Sequence, residues 1–461
     1  LFWAAFGVLL ISCGRSDSDP AVLATKVLQP AVSVEQKRLE EFFVSTWEED
    51  LARHPADASH LGITDQQDQW NDLSEEFQLE SIEIARKRLD FLEGIDTSQL
   101  YSEQLLSYHL YWLNLHRTLT GVPFRHHRYV IHQYRGPHTG VVSLLTNAHA
   151  IASEKDATDY IARLNNLPKY FGGVIEQLQI RADKGFYLVD WMIPKILESA
   201  GNVLVGAPFD DSGLPSVIWA DFNHKLDQLM IAPHVSEALR DDARSALLKA
   251  VKPAYKRLMA AVESQSKSAA HNDGVWRFSE GEAFYANRLE VVTTTTLTAE
   301  EIHQIGLDNV ARLHQEMRSV MKELGEEGDL MDFLTRVRHD PSLRYPNTDE
   351  GREAYLASAR AAINSMAERL PDYFGFLPQA GLVVKRVESY REHSAGKAFY
   401  QSPPLDGSRP GIYYANLHNM DSMPITDLDA LAFHEGLPGH HLQRVIAAER
   451  SDVPDFQRHA N

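Results

Sequence analysis

Three histidines and one glutamate lie close together near the end of the printed sequence, in residues 431–443 (LAFHEGLPGHHLQ). Glu435 directly follows His434, and four residues separate this pair from His440 and His441. Imidazole is a common zinc ligand, and a glutamate beside a ligand can deprotonate a water whose pKa zinc has lowered to about 7. The segment therefore predicts half of a zinc hydrolase site.

The spacing of these histidines differs from the usual zinc motif, His-Glu-x-x-His, whose two ligands share one helix face. Here Pro438 stands four residues after His434, and the next histidines follow at six and seven residues. On a straight helix at ~100° per residue, His440 would point away from His434, whereas His441 would face the same way about 10.5 Å along the axis. Because Pro438 lacks a backbone donor and Gly439 relaxes the chain, we expect a kink or bulge there, and a bulge that absorbs two extra residues could return His440 to the metal.

The elements that must position this motif are mainly helical, because residues 33 to 370 show amphipathic periodicity. Two helix starts have the capping-box spacing, Ser33 with Gln36 and Thr298 with Glu301. The stretch 201–216, rich in Gly, Pro and Asp, is a candidate lobe boundary or active-site loop. Further helical patterns are predicted over about 75–93, 102–119, 156–183, 235–266 and 349–369.

After Pro371 the sequence changes to short β-favouring runs at 382–387, 397–400 and 411–417, which predict a small antiparallel sheet. The motif helix follows, with Thr426 as its expected N-cap. The predicted fold class is therefore mainly α, with a small antiparallel sheet before the motif helix. This order of elements is found in zincin peptidases.

The motif His-Glu-x-x-Pro-Gly-His-His-x-Gln and the preceding residues 406–414 (DGSRPGIYY) resemble the bacterial domain-of-unknown-function family 885. The resemblance covers most of residues 35–461. That family is similar to the gluzincin peptidases, which include carboxypeptidase Taq and angiotensin-converting enzyme. Gluzincins are mostly helical and hold zinc with two histidines and a glutamate, so the resemblance implies a zincin-like metallopeptidase fold with zinc as cofactor.

The resemblance also assigns roles to the motif residues. His434 becomes the first ligand and Glu435 the general base, and His440 becomes the second ligand because Gly439-His440 matches the Gly-His step of relatives. His441 stays open as the alternative ligand, from its direction on a straight helix. The third ligand is expected to be a glutamate in a Glu-Gly-Trp segment beyond residue 461, so the fragment itself is expected to bind zinc poorly and to be inactive.

The implied reaction is metal-assisted hydrolysis of a peptide or another amide, in which Glu435 moves a proton from water to the leaving nitrogen. Arg409, Tyr413 and Tyr414 are candidates to contact the substrate and to steady the oxyanion, since in related peptidases such a strand borders the cleft and can pair with an extended peptide. Ordinary sheet packing is the alternative for these residues. Two other functions stay open: an inactive zincin-fold lipoprotein with a binding or scaffolding role, and a zinc hydrolase acting on another bond.

The first residues predict a lipoprotein leader. Residues 1–12 (LFWAAFGVLLIS) have the length of a signal-peptide h-region and are shorter than the ~20 apolar residues that span a bilayer. Residues 10–13 (LISC) resemble a bacterial lipobox, in which Cys13 is lipidated. We therefore expect residues 13–32 to be the lipid anchor and tether, 33–461 to be the helical domain, and the chain to be truncated at both ends. By this resemblance the protein faces the periplasm, with the outer membrane favoured over the inner because Gly14 follows the cysteine.

Composition excludes one class of partner. The chain has 461 residues and a formal net charge of −19, which argues against nucleic acid because phosphate backbones are bound by basic surfaces. Membrane contact is expected through the lipid anchor only. A second group of histidines, in residues 125–132 and at His138, lacks an adjacent catalytic carboxylate, so a polar loop or cleft wall is predicted there.

Overall fold

The computed structural model describes residues 32–134, 136–269, 271, 274–389, 391–393, 395–405, 407 and 409–459. Cys13 and most of the predicted tether lie outside these residues. The described chain is mainly helical, with one small sheet. Its α-helices are α1 (Val34–Arg53), α2 (Pro55–His60), α3 (Glu75–Glu93), α4 (Ser102–Thr120), α5 (Pro137–Asn147), α6 (Glu154–Asp183), α7 (Met192–Asn202), α8 (Val217–Asp227), α9 (Pro233–Ala246), α10 (Lys252–Ser264), α11 (Gly281–Thr293), α12 (Ala299–Glu323), α13 (Leu330–His339), α14 (Asp349–Arg369), α15 (Ile425–Glu435), α16 (His440–Glu449) and α17 (Asp455–Arg458).

The two predicted capping boxes are confirmed. The Ser33 hydroxyl accepts from the Gln36 backbone N–H while the Gln36 side chain accepts from the Ser33 N–H, and Thr298 and Glu301 form the same reciprocal pair. Each box satisfies two of the backbone donors that a helix start leaves without an intrahelical partner. One predicted cap is wrong: α15 begins at Ile425 after Pro424, without a side-chain cap, and the Thr426 hydroxyl bonds to a neighbouring carboxylate instead.

The core divides into three main clusters along the chain. The first joins α1, α3 and α4, and the second and largest joins α5 to α10. A π-helical turn, Leu247–Val251, connects α9 to α10 inside the second cluster, where a single long helical pattern was predicted. The third cluster packs α14, the sheet, α15 and α16 together. The predicted non-helical stretch at 201–216 is confirmed for residues 203–216, which connect α7 to α8, whereas residues 201 and 202 still belong to α7.

The sheet has the strand order β1-β3-β2, with β1 at Leu382–Arg386, β2 at Ala398–Gln401 and β3 at Gly411–Ala415. β2 pairs with β3 antiparallel, but β1 pairs with β3 in parallel, so the predicted antiparallel sheet is in fact mixed. The long connection from β1 to β3, which contains β2, supplies the crossover that a parallel pair requires. Alternate residues of β3 face opposite sides of the sheet. Tyr413 lies in the third core cluster, and Tyr414 lies in a smaller, fourth cluster.

The helix α12 has an apolar side that the described part of the chain leaves largely uncovered. Val310 and Leu313 are 50% and 41% exposed, and Met321 is its buried apolar residue. Among the described residues no helix is long and apolar enough to cross a membrane.

Candidate functional site

The His-Glu and His-His pairs lie on two different helices. α15 ends at Glu435, residues 436–439 form a connection, and α16 begins at His440. An interruption at Pro438-Gly439 was predicted from the sequence, but it is a break between two helices and not a bulge within one. Because the helical repeat stops at Glu435, the direction of His440 no longer depends on counting residues along one helix.

Backbone hydrogen bonds fold this connection back onto the end of α15. The Gly439 N–H donates to the Phe433 carbonyl at 2.9 Å, and the His441 N–H donates to the Gly436 carbonyl at 3.1 Å. A Cβ atom at residue 439 would overlap with the carbonyl oxygens of Phe433 and His434. Only glycine therefore lets the start of α16 approach the end of α15 this closely.

This arrangement brings His434 and His440 together. Their ring centroids lie 4.7 Å apart with an interplanar angle of 75°. His434 is exposed and His440 is partly buried, so the pair faces an accessible surface. Burial, the neighbouring His434 and the Arg444 guanidinium, in that order, lower the pKa of His440. A lowered pKa favours the neutral imidazole, which is the form that binds metals.

Glu435, between the two histidines in sequence, is 5% exposed. Its Oε2 atom is buried and has no hydrogen-bond partner among the described residues. Burial raises the pKa of Glu435, and the nearby His434 opposes this shift. A buried carboxylate oxygen without a partner is costly in a fold, so it commonly marks a position that a ligand, water or ion fills.

His441, the alternative ligand, is placed differently from His440. It is 2% exposed, its Nδ1 lies 2.9 Å from the Tyr400 hydroxyl, and its Nε2 lies 3.0 Å from the Ala380 carbonyl. Burial lowers the pKa of His441. Both ring nitrogens are thus already engaged, and of the two histidines His440 has the geometry of a partner for His434.

The predicted substrate-contacting tyrosines lie inside the fold. Tyr413 is 0% exposed and Tyr414 is 2% exposed, and the Tyr414 hydroxyl donates to Asn147 Oδ1 at 3.2 Å. Both edges of β3 are occupied, by β1 and β2, so the expectation that this strand pairs with a peptide is wrong. A peptide could add only to the outer edge of β1 or β2. Sheet packing, the alternative weighed from the sequence, accounts for both tyrosines.

Arg409 lines a cavity of about 680 Å³ beside α16. Its guanidinium donates to the carbonyls of Ser402 and Pro410. The lining also includes Glu449, whose Oε1 accepts from the backbone N–H groups of Gln379 and Ala380. Arg409 therefore borders a cavity, but the histidine pair is not part of the cavity lining.

A complete metal cage is not present in the described part of the chain, where no three His, Cys, Asp or Glu side chains are grouped to hold an ion. The second histidine group, too, forms no such cage among the described residues. His126 and His127 are buried, His127 contacts the rings of Phe186 and Phe284, and His138 is 0% exposed. Burial lowers the pKa of His138 to about 4, so this histidine is neutral at pH 7.

Sequence reasoning missed Tyr400. It lay in a predicted strand, but nothing in the sequence indicated that its hydroxyl would meet His441. That contact depends on the pairing of β2 with β3, in which Gln401 lies opposite Ile412 and Tyr400 opposite Tyr413. Only the strand register could have revealed it.

A family model described as "Bacterial protein of unknown function (DUF885)" matches residues 55–461. Among solved structures, the chain is similar to a "putative lipoprotein" from Colwellia psychrerythraea, with a TM-score of 0.83 and 21% identity over 93% of this chain and 75% of that one. It is also similar to a "putative lipoprotein of unknown function" from Shewanella oneidensis, with a TM-score of 0.59 and 15% identity over 92% of this chain and 74% of that one. At these identities the likeness shows a shared fold. No curated protein matches the chain.

Proposed function

The chain belongs to the DUF885 family of bacterial proteins of unknown function, and from its site geometry we propose that it is a zinc-dependent hydrolase that cleaves peptide bonds. One observation carries this proposal: two accessible imidazoles lie 4.7 Å apart, and the residue between them on the chain is a buried glutamate with an unpartnered oxygen. Two histidines and an adjacent carboxylate are the side chains that zinc-assisted hydrolysis uses.

The residues that would hold zinc are His434 and His440. Both are at or near the surface, and the side chains that surround His440 favour its neutral form. Bound zinc supplies Lewis acidity, which lowers the pKa of a water and polarises a carbonyl. A zincin-like arrangement, in which the second ligand comes after a helix break, is part of the proposal.

Glu435 supplies the proton transfers. Its buried Oε2 can accept a proton from the attacking water, since no other hydrogen bond among the described residues competes for it. Burial raises the pKa of this carboxylate, and a stronger base takes the proton more readily. The same carboxyl group then donates the proton to the leaving nitrogen, which completes the cleavage of the amide and regenerates the base.

Peptides are the proposed substrates because the motif resembles that of gluzincin peptidases. Arg409, the predicted substrate contact, lines the cavity beside α16, which the histidine pair does not line. The same chemistry would act on another amide or on an ester. A substrate panel of peptides, non-peptide amides and esters, assayed with the purified full-length protein, distinguishes these possibilities by which of them is hydrolysed.

Metal dependence is the direct test. We expect chelation to abolish hydrolysis and added zinc to restore it. His434→Ala should weaken zinc binding by more than the roughly 10- to 100-fold that loss of an outer contact costs, because it removes a ligand itself. His303→Ala, which removes an exposed histidine of α12, is the matched control and should bind zinc as the wild type does. Equal zinc affinity in wild type and His434→Ala would contradict the proposed site.

Attachment to the cell envelope is a second proposal, supported by the lipobox-like residues 10–13 and by the description of each of the two similar solved structures as a "putative lipoprotein". Cys13 is the proposed lipid acceptor, and a protein anchored by it would face the periplasm. We expect the natural precursor to fractionate with membranes and Cys13→Ser to move to the soluble fraction. Membrane association that persists in Cys13→Ser would argue against the anchor.

A further inference from the structure

His441 does more in the structure than fill space beside His440. A carbonyl oxygen can only accept a hydrogen bond, so Nε2, 3.0 Å from the Ala380 carbonyl, carries the ring proton. In the neutral ring Nδ1 is then an acceptor, and the Tyr400 hydroxyl donates to it at 2.9 Å. The chain of bonds Tyr400 to His441 to Ala380 is therefore fully satisfied and has a single direction.

This chain of bonds ties two segments to the first turn of α16, and a third segment, β3, packs against the bonded side chains. Tyr400 belongs to β2, and Ala380 precedes β1. The backbone of β3 lies close to the contact between Tyr400 and His441. A Cβ atom at residue 411 would lie 2.8 Å from His441 Nδ1 and would overlap with the Tyr400 hydroxyl. Gly411 is thus needed for the tyrosine and the histidine to meet, and the Gly411 N–H donates to the Gly381 carbonyl beside them. The sheet as a whole is the support to which α16 is attached.

His440 directly precedes His441, so the contacts that hold the first turn of α16 also hold the Cα atom from which the His440 side chain extends. The Tyr400 ring also lies 6.4 Å from the His440 ring at an interplanar angle of 24°. His434, by contrast, is held through α15, which packs against α14. The distance between the two imidazoles therefore depends on how each helix is held: α15 packs against α14 and also contacts β2, and the start of α16 is held by the bonds of His441 and by the bond from Gly439 to Phe433.

We propose that Tyr400 and His441 are positioning residues that hold His440 at the distance from His434 that a metal requires. The proposal rests on the zinc site proposed above, and it concerns residues that do not touch the metal themselves. Outer contacts that orient a ligand commonly contribute 10- to 100-fold to metal affinity, because a ligand free to rotate must be ordered on binding. Neither residue would be required for the chemistry of Glu435.

The test is the zinc dissociation constant of Tyr400→Phe, measured by competition with a chelator of known affinity in the full-length protein. This substitution keeps the ring and removes only the hydroxyl that fixes His441. Tyr345→Phe is the matched control, since it also removes a hydrogen-bonded tyrosine hydroxyl: Tyr345 packs against the third core cluster, and its hydroxyl bonds to Ser358 Oγ at 2.7 Å. Unfolding of the metal-free proteins is recorded in parallel.

We expect Tyr400→Phe to weaken zinc binding by roughly 10- to 100-fold and to change the visible spectrum of the Co²⁺-substituted protein. The control should lose similar stability without either effect. His441→Gln, which keeps a donor for Ala380 but no ring acceptor for Tyr400, should weaken zinc binding as well and serves if Tyr400→Phe does not fold.

Two results would overturn the proposal, and they are distinguishable. If wild type binds zinc and His434→Ala does not, but Tyr400→Phe and His441→Gln bind like the control, the positioning role is wrong and the zinc site remains. If the wild-type protein binds no zinc, the proposed function and the positioning role fail together.

Discussion

Replacing Glu435 with glutamine should reduce turnover of a susceptible peptide by roughly 10²- to 10⁴-fold, the range that general acid–base groups contribute. The amide has nearly the shape of the carboxylate but cannot accept the proton of the attacking water. Since Glu435 is not a proposed ligand, zinc content should remain that of the wild type. The measurements are kcat on the peptide identified in the substrate panel and metal content of the purified protein.

Asp429→Asn is the matched control for Glu435→Gln. It makes the same change from carboxylate to amide on the same helix, at an exposed position. Its turnover should equal that of the wild type. Equal turnover in Glu435→Gln would remove this residue as the base, and if zinc still binds, a role in binding without catalysis would then describe the site better.

Replacing Gly439 with alanine should have the second large effect, because the added methyl group would overlap with two carbonyl oxygens at the end of α15. Relieving the overlap requires α16 to move away from α15, which separates His440 from His434. We expect a loss of about 3 kcal/mol in the free energy of unfolding, as for other overpacked positions, and a weaker zinc affinity. Urea unfolding and zinc competition measure the two effects.

Gly306→Ala is the control for Gly439→Ala, because it adds the same methyl group at a position where nothing overlaps with it. No heavy atom lies within 4 Å of a Cβ built at Gly306, which is within α12. Gly306→Ala should therefore leave zinc affinity unchanged and stabilise the helix slightly. If Gly439→Ala were as stable as Gly306→Ala and bound zinc equally well, close packing of the two helices would not depend on this glycine.

Local features of the fold could be predicted from the sequence. The helix over Glu75–Glu93 and the capping boxes at Ser33 and Thr298 follow from periodicity and from side chains within four residues of each other. The parallel pairing of β1 with β3 could not be predicted, because it joins segments that are nearly thirty residues apart, as Leu382 and Gly411 are. Nor does periodicity tell what covers an apolar face, as the exposed Val310 shows.

The candidate site, like the fold, could be predicted from the sequence only in its local features. His434, Glu435 and an interruption at Pro438 were visible in the sequence, since they depend on residue types and adjacency. The bond from Tyr400 to His441 and the burial of Tyr413 depend on strand order and register, which are properties of the sheet as a whole. A histidine that looked like an alternative ligand along a straight helix has both nitrogens engaged once the sheet is in place.

The connection at residues 436–439 has a further consequence when it is considered as a linker between two binding groups. A short linker keeps the second group at a high effective concentration near the first, and a stiff one removes the entropy that a flexible linker would lose on binding. Here both ends of the linker are already hydrogen-bonded to α15, because the Gly436 N–H donates to the Ala432 carbonyl and the Gly439 N–H donates to the Phe433 carbonyl. If the proposed zinc site is right, the two imidazoles would act as a bidentate chelator whose entropy of ordering is lost during folding, before any ion binds.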